Sequence, residues 1–387
     1  MTPSYDVIIV GLGAMGSAAA YQLAGRGARV LGLDRFAPPH TLGSTHGRTR
    51  VIREAYFEHP LYVPLVQRAY ELWDELTRES GRTLLVQTGG LMMGPADGAL
   101  VAGARESAER HHLPHAMLDA GDVARRFPPI RVPEGEVALL EPRAGLLFPE
   151  ACVEEALDGA RRRGAELRTG EEVTGWRADG GADGDGVEVT TDAGTYRASR
   201  LVLAAGPWNP ELLARERTAA PLALPLEVER QLFHWFEPVR DAELLDAEVC
   251  PVVLWEFEHE RIVAFLPDTG DGVKVGIHHG GEITTPDTVR REPTADDEAA
   301  VRALLARVLP SANGRLLDAH VCLYTNTPDH HFLLDAHPAH PQVLLVSPCS
   351  GHGFKFASAI GEVVADLATG GATRFDLRLF GVGRLRS

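Results

Sequence analysis

The N-terminal segment as far as Asp34 constrains the fold more than any other part of the chain. Tyr5-Asp6-Val7-Ile8-Ile9-Val10 is a short β-branched apolar run of the kind that forms a buried parallel strand. Gly11-Leu12-Gly13-Ala14-Met15-Gly16 follows, and an alanine-rich stretch to Leu23 reads as a helix closed by Gly25 and Gly27. Arg29 to Asp34 supplies a second strand, which completes a βαβ unit. Each glycine has its own task. Gly11 permits the tight turn, Gly13 lets backbone approach a pyrophosphate, and Gly16 allows close packing of helix on strand. The helix N-terminus offers unpaired N–H groups and partial positive charge to an anion. Asp34 ends the second strand, where a carboxylate accepts hydrogen bonds from ribose hydroxyls. The same charge repels a 2′-phosphate, which disfavours NADP. NAD and FAD both remain open at this point.

A chain of 387 residues predicts two domains, and 44% hydrophobic residues suffice for a substantial core. The formal charge of −16 argues against a nucleic-acid partner, because phosphate binding needs a basic face. There is no Lys/Arg run to suit a membrane surface, no apolar stretch of roughly 20 residues to span one, and no basic leader segment. Cys152, Cys250, Cys322 and Cys349 are scattered without a CxxC pair, which suits a reduced cytoplasm and no zinc site. His279, the pair His330-His331, and His111-His112 with His115 read as exposed or locally hydrogen-bonded, with no metal expected. Asp183-Gly184-Asp185-Gly186 reads as a loop, since the other EF-hand ligand positions are missing.

Helices are expected over 59–80, where Leu65, Ala69, Leu72 and Leu76 recur at helical spacing, and over 98–112 and 151–164. Val187–Thr191 and Thr195–Ala198 flank Asp192-Ala193-Gly194 as a hairpin, and Leu201–Ala205 reads as a buried strand. From about 218 to 320 short alternating runs, such as Gln231–Phe236 and Val273–Ile277, predict an antiparallel sheet with a helix near 294–308. A strand at Val343–Ser347 and a helix from Lys355 to Ala368 return the chain to α/β character. The expected architecture is α/β plus α+β: a Rossmann-type nucleotide-binding domain (1–84, 146–217 and 318–387) with an inserted antiparallel-sheet substrate domain (85–145 and 218–317).

Of 38 Lys and Arg residues only Lys274 and Lys355 are lysine. Arginine serves wherever a surface needs only charge, so an isolated lysine hints at a need for a compact, titratable ammonium. Both lie in glycine-flanked segments beside histidines, Asp271–His278 and Ser350–Lys355. Together they look like site residues.

Four further segments carry a family resemblance. They are Pro38-Pro39-His40 with Gly43 to Arg53, Gly206-Pro207-Trp208, Cys322 to Asp329, and Ser350-Gly351-His352-Gly353-Phe354-Lys355-Phe356. In this order, and nearly end to end, the sequence resembles the monomeric sarcosine oxidase / N-methyltryptophan oxidase family of FAD-dependent amine oxidases. The resemblance implies FAD held covalently by a cysteine thioether to the flavin 8α-methyl group, with Cys322 at the matching position. A thiolate can add to an electrophilic ring tautomer, so a nearby cation that lowers the thiol pKa would help. The other cysteines read as small buried hydrophobes.

The same resemblance makes Ser44, Thr49, Arg50, Gly206, Trp208, Gly351, Gly353 and Lys355 cofactor-binding residues beside Gly11, Gly13, Gly16 and Asp34. It assigns the substrate carboxylate to Arg53 with Lys355, a task suited to a guanidinium fork. Lys274 matches a lysine implicated in oxygen activation, where fixed positive charge stabilises forming superoxide. His278 matches a histidine near the substrate, and Tyr324 and His352 line the site. The implied reaction oxidises a secondary (N-methyl) amino acid or related small amine to an imine, hydrolysed to aldehyde plus amine, with O2 reduced to H2O2. A flavoprotein amine dehydrogenase feeding a carrier, and an NAD-dependent dehydrogenase, are the alternatives. A cytoplasmic monomer is expected, with a small amine and O2 as its partners. Three departures bear on substrate: Arg48 stands where the family carries an acid, Val263 falls, by ungapped comparison, where sarcosine oxidases have a substrate-site tyrosine, and Ile277 precedes His278 where an aromatic residue or lysine is common.

Overall fold

The computed structural model describes residues 4–179, 186–217 and 222–385. The strand Ser4–Val10 lies inside an eight-stranded sheet, paired in parallel with Val30–Asp34 on one side and Thr195–Leu203 on the other. Glu166–Thr169 extends it beyond Val30–Asp34, and His340–Ser347 pairs in parallel with Leu201–Leu203. The helix Ala14–Gly25 packs between Pro149–Arg162 and Ala357–Gly370. That contact is close: a Cβ on Gly361 would sit 2.6 Å from the Ala18 backbone.

Two expected strands prove to be one. The hairpin arm from Thr195 and the buried run at Leu201 form a single strand, Thr195–Leu203. Its first half alternates between exposed and buried positions, whereas its last three residues are buried on both faces. The Asp183–Asp185 loop lies outside the described residues.

The second layer is a nine-stranded sheet. Glu227–Phe236 lies antiparallel to Val273–His278 and to Leu316–Asn326. The hairpin Val252–Glu258/Arg261–Leu266 continues the sheet to Gly90–Gly94, Val137–Glu141 and Ala116–Leu118. The helix Ala295–Val308 starts at a Thr294/Asp297 capping box and buries Val301, Leu304, Leu305 and Val308 against one sheet face. The residues between, among them Leu254, Ala264 and Lys274, look the other way into a cavity.

The boundary expected at 318 cuts through the strand Leu316–Asn326, whose partner is Glu227–Phe236 in the nine-stranded sheet. The chain rejoins the eight-stranded sheet only at Leu333–His337. Alternation and composition mark a strand but not its partner, so this exchange of sheets left no local trace. A small three-stranded sheet, Arg50–Ile52, Gly145–Leu147 and Leu85–Gln87, presents the segment that carries Arg50 and Arg53.

Candidate active site

A cavity of about 280 Å³ runs between the layers, from Gly11, Gly13 and Asp34 at one end to His278, Tyr324, His352 and Lys355 at the other. The three glycines of the motif differ in what surrounds them. Gly11 has φ +92°, and a Cβ there would meet the Ala204 carbonyl oxygen at 2.5 Å. A Cβ on Gly16 would lie 1.8 Å from the Gly11 oxygen, so Gly16 serves packing and stands back from the cavity wall. Gly13 is different: its nearest neighbour would be Thr45 Oγ1 at 3.6 Å. No protein atom demands a glycine there, and a close-approaching ligand would.

Asp34 accepts the Leu12 N–H at 2.7 Å and the Phe36 N–H at 2.8 Å, which ties the glycine turn to the second strand. Burial pushes its pKa up, and those two amides pull it down. Trp208 borders the cavity, and its buried Nε1 has no hydrogen-bond partner among the described residues. Gly206 adopts φ +56° in the turn leading to it.

The loop Ser44–Thr49 is held from below. Arg50 donates to the Ser44 and Thr49 carbonyls at 3.1 and 3.0 Å and lies over Phe233. Lys274 Nζ donates to the Gly47 and Thr49 carbonyls at 2.7 and 2.6 Å and sits 4.1 Å from the Phe233 ring centroid. Burial, then the Arg50 charge, holds its pKa well below that of an ordinary lysine.

Cys322 is buried just behind this loop and does not line the cavity. Its Sγ lies 3.5 Å from the Ser44 carbonyl oxygen and 3.8 Å from Arg50 Nη2. Burial raises the thiol pKa; Arg50 and Lys274 pull it down but do not prevail. The cation expected beside the thiol is present, yet desolvation outweighs it. His46 is buried next to Phe233 and His320, with both ring nitrogens unpartnered among the described residues. Burial, then Arg50, lowers its pKa to about 3, so it is neutral.

At the far end Arg53 and Lys355 converge. Arg53 donates to the Ala55 carbonyl at 3.1 Å and, through Nη2, to both oxygens of Glu58 at 2.7 Å. Lys355 Nζ donates to the His352 carbonyl at 2.7 Å and to Tyr56 Oη at 3.4 Å. Burial, then the Arg53 charge, lowers its pKa to about 7. His352 shares a 2.6 Å hydrogen bond with Tyr56 Oη, stacks on Phe332, and is held neutral, mainly by burial. His278 Nδ1 lies 3.3 Å from Tyr324 Oη; burial and then His279 push its pKa well down. Gly351, at φ +78°, leaves room for this pair, because a Cβ would lie 2.5 Å from the Tyr324 ring and 2.6 Å from His278. Gly353 is required by Pro348, whose carbonyl oxygen would be 1.7 Å from a Cβ.

Glu58 and Tyr56 were not anticipated, although they lie only five and three residues beyond Arg53 in the chain. A pairing of Arg53 with the carboxylate five residues on would have been a reasonable signal. Two further histidines are hydrogen-bonded: His279 with Glu229 at 3.0 Å and His331 with Tyr62 Oη at 3.2 Å. Among the described residues no cluster of His, Cys, Asp and Glu could hold a metal ion, and no helix is long and apolar enough to cross a membrane.

Two expected departures need correction. Val263 is fully buried in the core beneath helix Ala295–Val308, while Ile262 and Ala264 border the cavity. Side chains alternate along a strand, so a shift of one residue moves a position to the opposite face. Ile277, paired with Val263, packs against the same core with an edge at the cavity. Arg48 leaves the site altogether and bridges to Asp318 and, at 3.7 Å, to Asp271, over the Trp235 ring.

Residues 6–367 match the model of the FAD dependent oxidoreductase family. The chain belongs to that family. The choice between NAD and FAD is thereby settled for FAD, whose binding the open cradle at Gly13 fits. Similar proteins include monomeric sarcosine oxidase of Streptomyces avermitilis, 44% identical over 100% of this chain and 99% of the relative. N-methyl-L-tryptophan oxidase of Salmonella dublin is 36% identical over 98% and 99% of the two chains. Among solved structures the open form of NikD, an amino acid oxidase of nikkomycin biosynthesis, superposes with TM-score 0.82 at 26% identity, covering 98% of each chain. L-proline dehydrogenase from P. horikoshii shares the fold, with TM-score 0.84 at 23% identity over 99% and 98%.

Proposed function

We propose that this FAD-dependent oxidoreductase oxidises an N-methyl or other secondary amino acid, with O2 as acceptor. The carrying observation is the convergence of Arg53 and Lys355 at the end of the cavity opposite the nucleotide cradle. Two buried cations with a nearby apolar wall suit a small carboxylate whose amine carbon extends toward the cofactor. Gly11, Gly13 and the loop Ser44–Thr49 would hold FAD, which would supply a two-electron acceptor for the hydride of the substrate C–H bond; with the proton lost from the amine N–H, those electrons and both hydrogens would leave on O2 as H2O2. Hydrolysis of the imine then gives aldehyde plus amine; an N-methyl amino acid would yield formaldehyde and the free amino acid.

The chain itself positions and polarises. Arg53 and Lys355 take the carboxylate, which would share Arg53 with Glu58. Neutral His278, held by Tyr324, offers a hydrogen-bonding ring beside the amine. Lys274, fixed by two carbonyls at the cavity wall, is our candidate for stabilising negative charge developing on oxygen through its remaining N–H. Cys322, behind the Ser44 carbonyl, is our candidate for thioether attachment. Ala264, Ile262 and Leu254 form a wall without hydrogen-bonding groups, which favours an apolar substituent over a polar one. We expect a monomer, as the similarity to monomeric sarcosine oxidase suggests, in a reducing compartment, where four free cysteines persist.

The test is direct. The purified protein is precipitated in acid, and peroxide release is followed over N-methyl, cyclic and primary amino acids. Yellow colour in the pellet and peroxide from secondary amino acids are expected. Colour in the supernatant would overturn the thioether, and reduction of an artificial acceptor without peroxide would assign a dehydrogenase.

A further inference from the structure

We propose that Glu141, outside the cavity, is a positioning residue for the substrate carboxylate, holding the turn that aims Arg53. The proposal rests on the reading of Arg53 as the carboxylate site.

Glu141 ends the strand Val137–Glu141 of the nine-stranded sheet, whereas Arg53 follows the strand Arg50–Ile52 of the three-stranded sheet. Only 1% exposed, Glu141 uses both carboxylate oxygens on consecutive amides: Glu54 N–H at 2.6 Å and Ala55 N–H at 2.8 Å. Ala55 is held from both sides, because its carbonyl accepts Arg53 Nη1 at 3.1 Å. The guanidinium is therefore keyed to the carbonyl of a residue whose N–H Glu141 holds, one peptide unit further on. Charge-assisted hydrogen bonds of this length are about twice as strong as neutral ones.

A neutral acceptor could satisfy two buried amides. A carboxylate in a dry interior is costly unless its charge is used, and the charge here lies beside the Arg53 guanidinium. Burial pushes the Glu141 pKa up to about 7, against the pull of the two amides and of Arg53. Glu58 and Glu141 thus share Arg53 unequally. Glu58 lines the cavity and takes the guanidinium directly, so an incoming carboxylate competes with it. Glu141 does not line the cavity and keeps the turn in place whichever anion Arg53 holds.

The experiment titrates the FAD-loaded enzyme with methoxyacetate, an unreactive analogue in which ether oxygen replaces the amine of sarcosine, followed by the visible flavin spectrum. Glu141→Gln keeps the volume but turns an N–H toward a donor. It should raise the methoxyacetate Kd and the substrate KM roughly tenfold while kcat at saturation stays within about twofold. Glu141→Asp, with a carboxylate of shorter reach, should fall between and serves if the Gln variant folds poorly. On an Arg53→Ala background the Glu141 substitution should add nothing. An unchanged Kd in both Glu141 variants, a fall in kcat without a rise in KM, or the same penalty on the Arg53→Ala background would overturn the positioning role. An Arg53→Ala enzyme that binds methoxyacetate normally would instead overturn the carboxylate site itself.

Discussion

Arg53 Nη2 donates to both oxygens of Glu58 at 2.7 Å, in a pair whose side chains are 4% and 14% exposed. The cation we propose for the ligand's carboxylate is thus already matched by one of the chain's own. The internal carboxylate keeps a buried guanidinium paired, and a ligand carboxylate binding there would have to compete with it.

Glu58→Gln should separate these two roles. Leaving Arg53 without its ionised partner should lower thermal stability by about 3–5 kcal/mol. The same change should tighten methoxyacetate binding about tenfold, equivalent to roughly 1.4 kcal/mol. Differential scanning fluorimetry and a spectral titration check both halves. Weaker binding would mean that Glu58 orients Arg53 and does not compete for it.

Lys355 predicts a pH dependence. Its pKa is lowered to about 7 by burial and by Arg53, so its charge is lost as pH rises through that value. A carboxylate ligand favours the ammonium, and its binding therefore takes up a proton above pH 7. The methoxyacetate Kd should be flat below about pH 6 and rise up to tenfold per unit above about pH 8. Lys355→Met should bind weakly at every pH, and a persisting rise in that variant would assign the titration to another group.

The glycine motif predicts opposite outcomes for two alanines. Gly16→Ala meets the Gly11 carbonyl at 1.8 Å and should cost about 1–3 kcal/mol or more in the FAD-free protein. Gly13→Ala meets nothing closer than 3.6 Å and should leave FAD-free stability within about 0.5 kcal/mol while reducing FAD content. Unfolding curves with flavin-to-protein ratios decide it; normal FAD content in Gly13→Ala would remove the pyrophosphate from that glycine.

Lys274→Met should slow reoxidation of the reduced enzyme by O2 at least about a hundredfold, comparable with the loss of one preorganised charge-stabilising donor. Anaerobic reduction by substrate should change far less. Stopped-flow traces of the two half-reactions measure this, and equal losses in both would make Lys274 a support for the Gly47 and Thr49 carbonyls only.

Features set by neighbours along the chain were legible in the sequence. The βαβ unit, the helix within 59–80 and the one near 294–308 depend on local period, caps and glycine geometry. The two isolated lysines pointed to the cavity because composition made them conspicuous. Their partners were not readable: Lys274 meets carbonyls of Gly47 and Thr49, more than two hundred positions away.

Other features were decided only by packing. Strand register turned Val263 into the core and Ala264 to the cavity, a choice that hangs on one residue of shift. Sheet pairing took Leu316–Asn326 into the second layer and so placed Cys322 beside the loop from Ser44 and Tyr324 beside His278. The close approach of Glu141 to Glu54 and Ala55 joins segments from two sheets. The sequence by itself determined that a dinucleotide cradle forms, because turn sterics and a helix terminus are local. Tertiary structure decided which charges share the end of the cavity far from the cradle, because buried ion pairs are selected by desolvation among groups that only folding brings together.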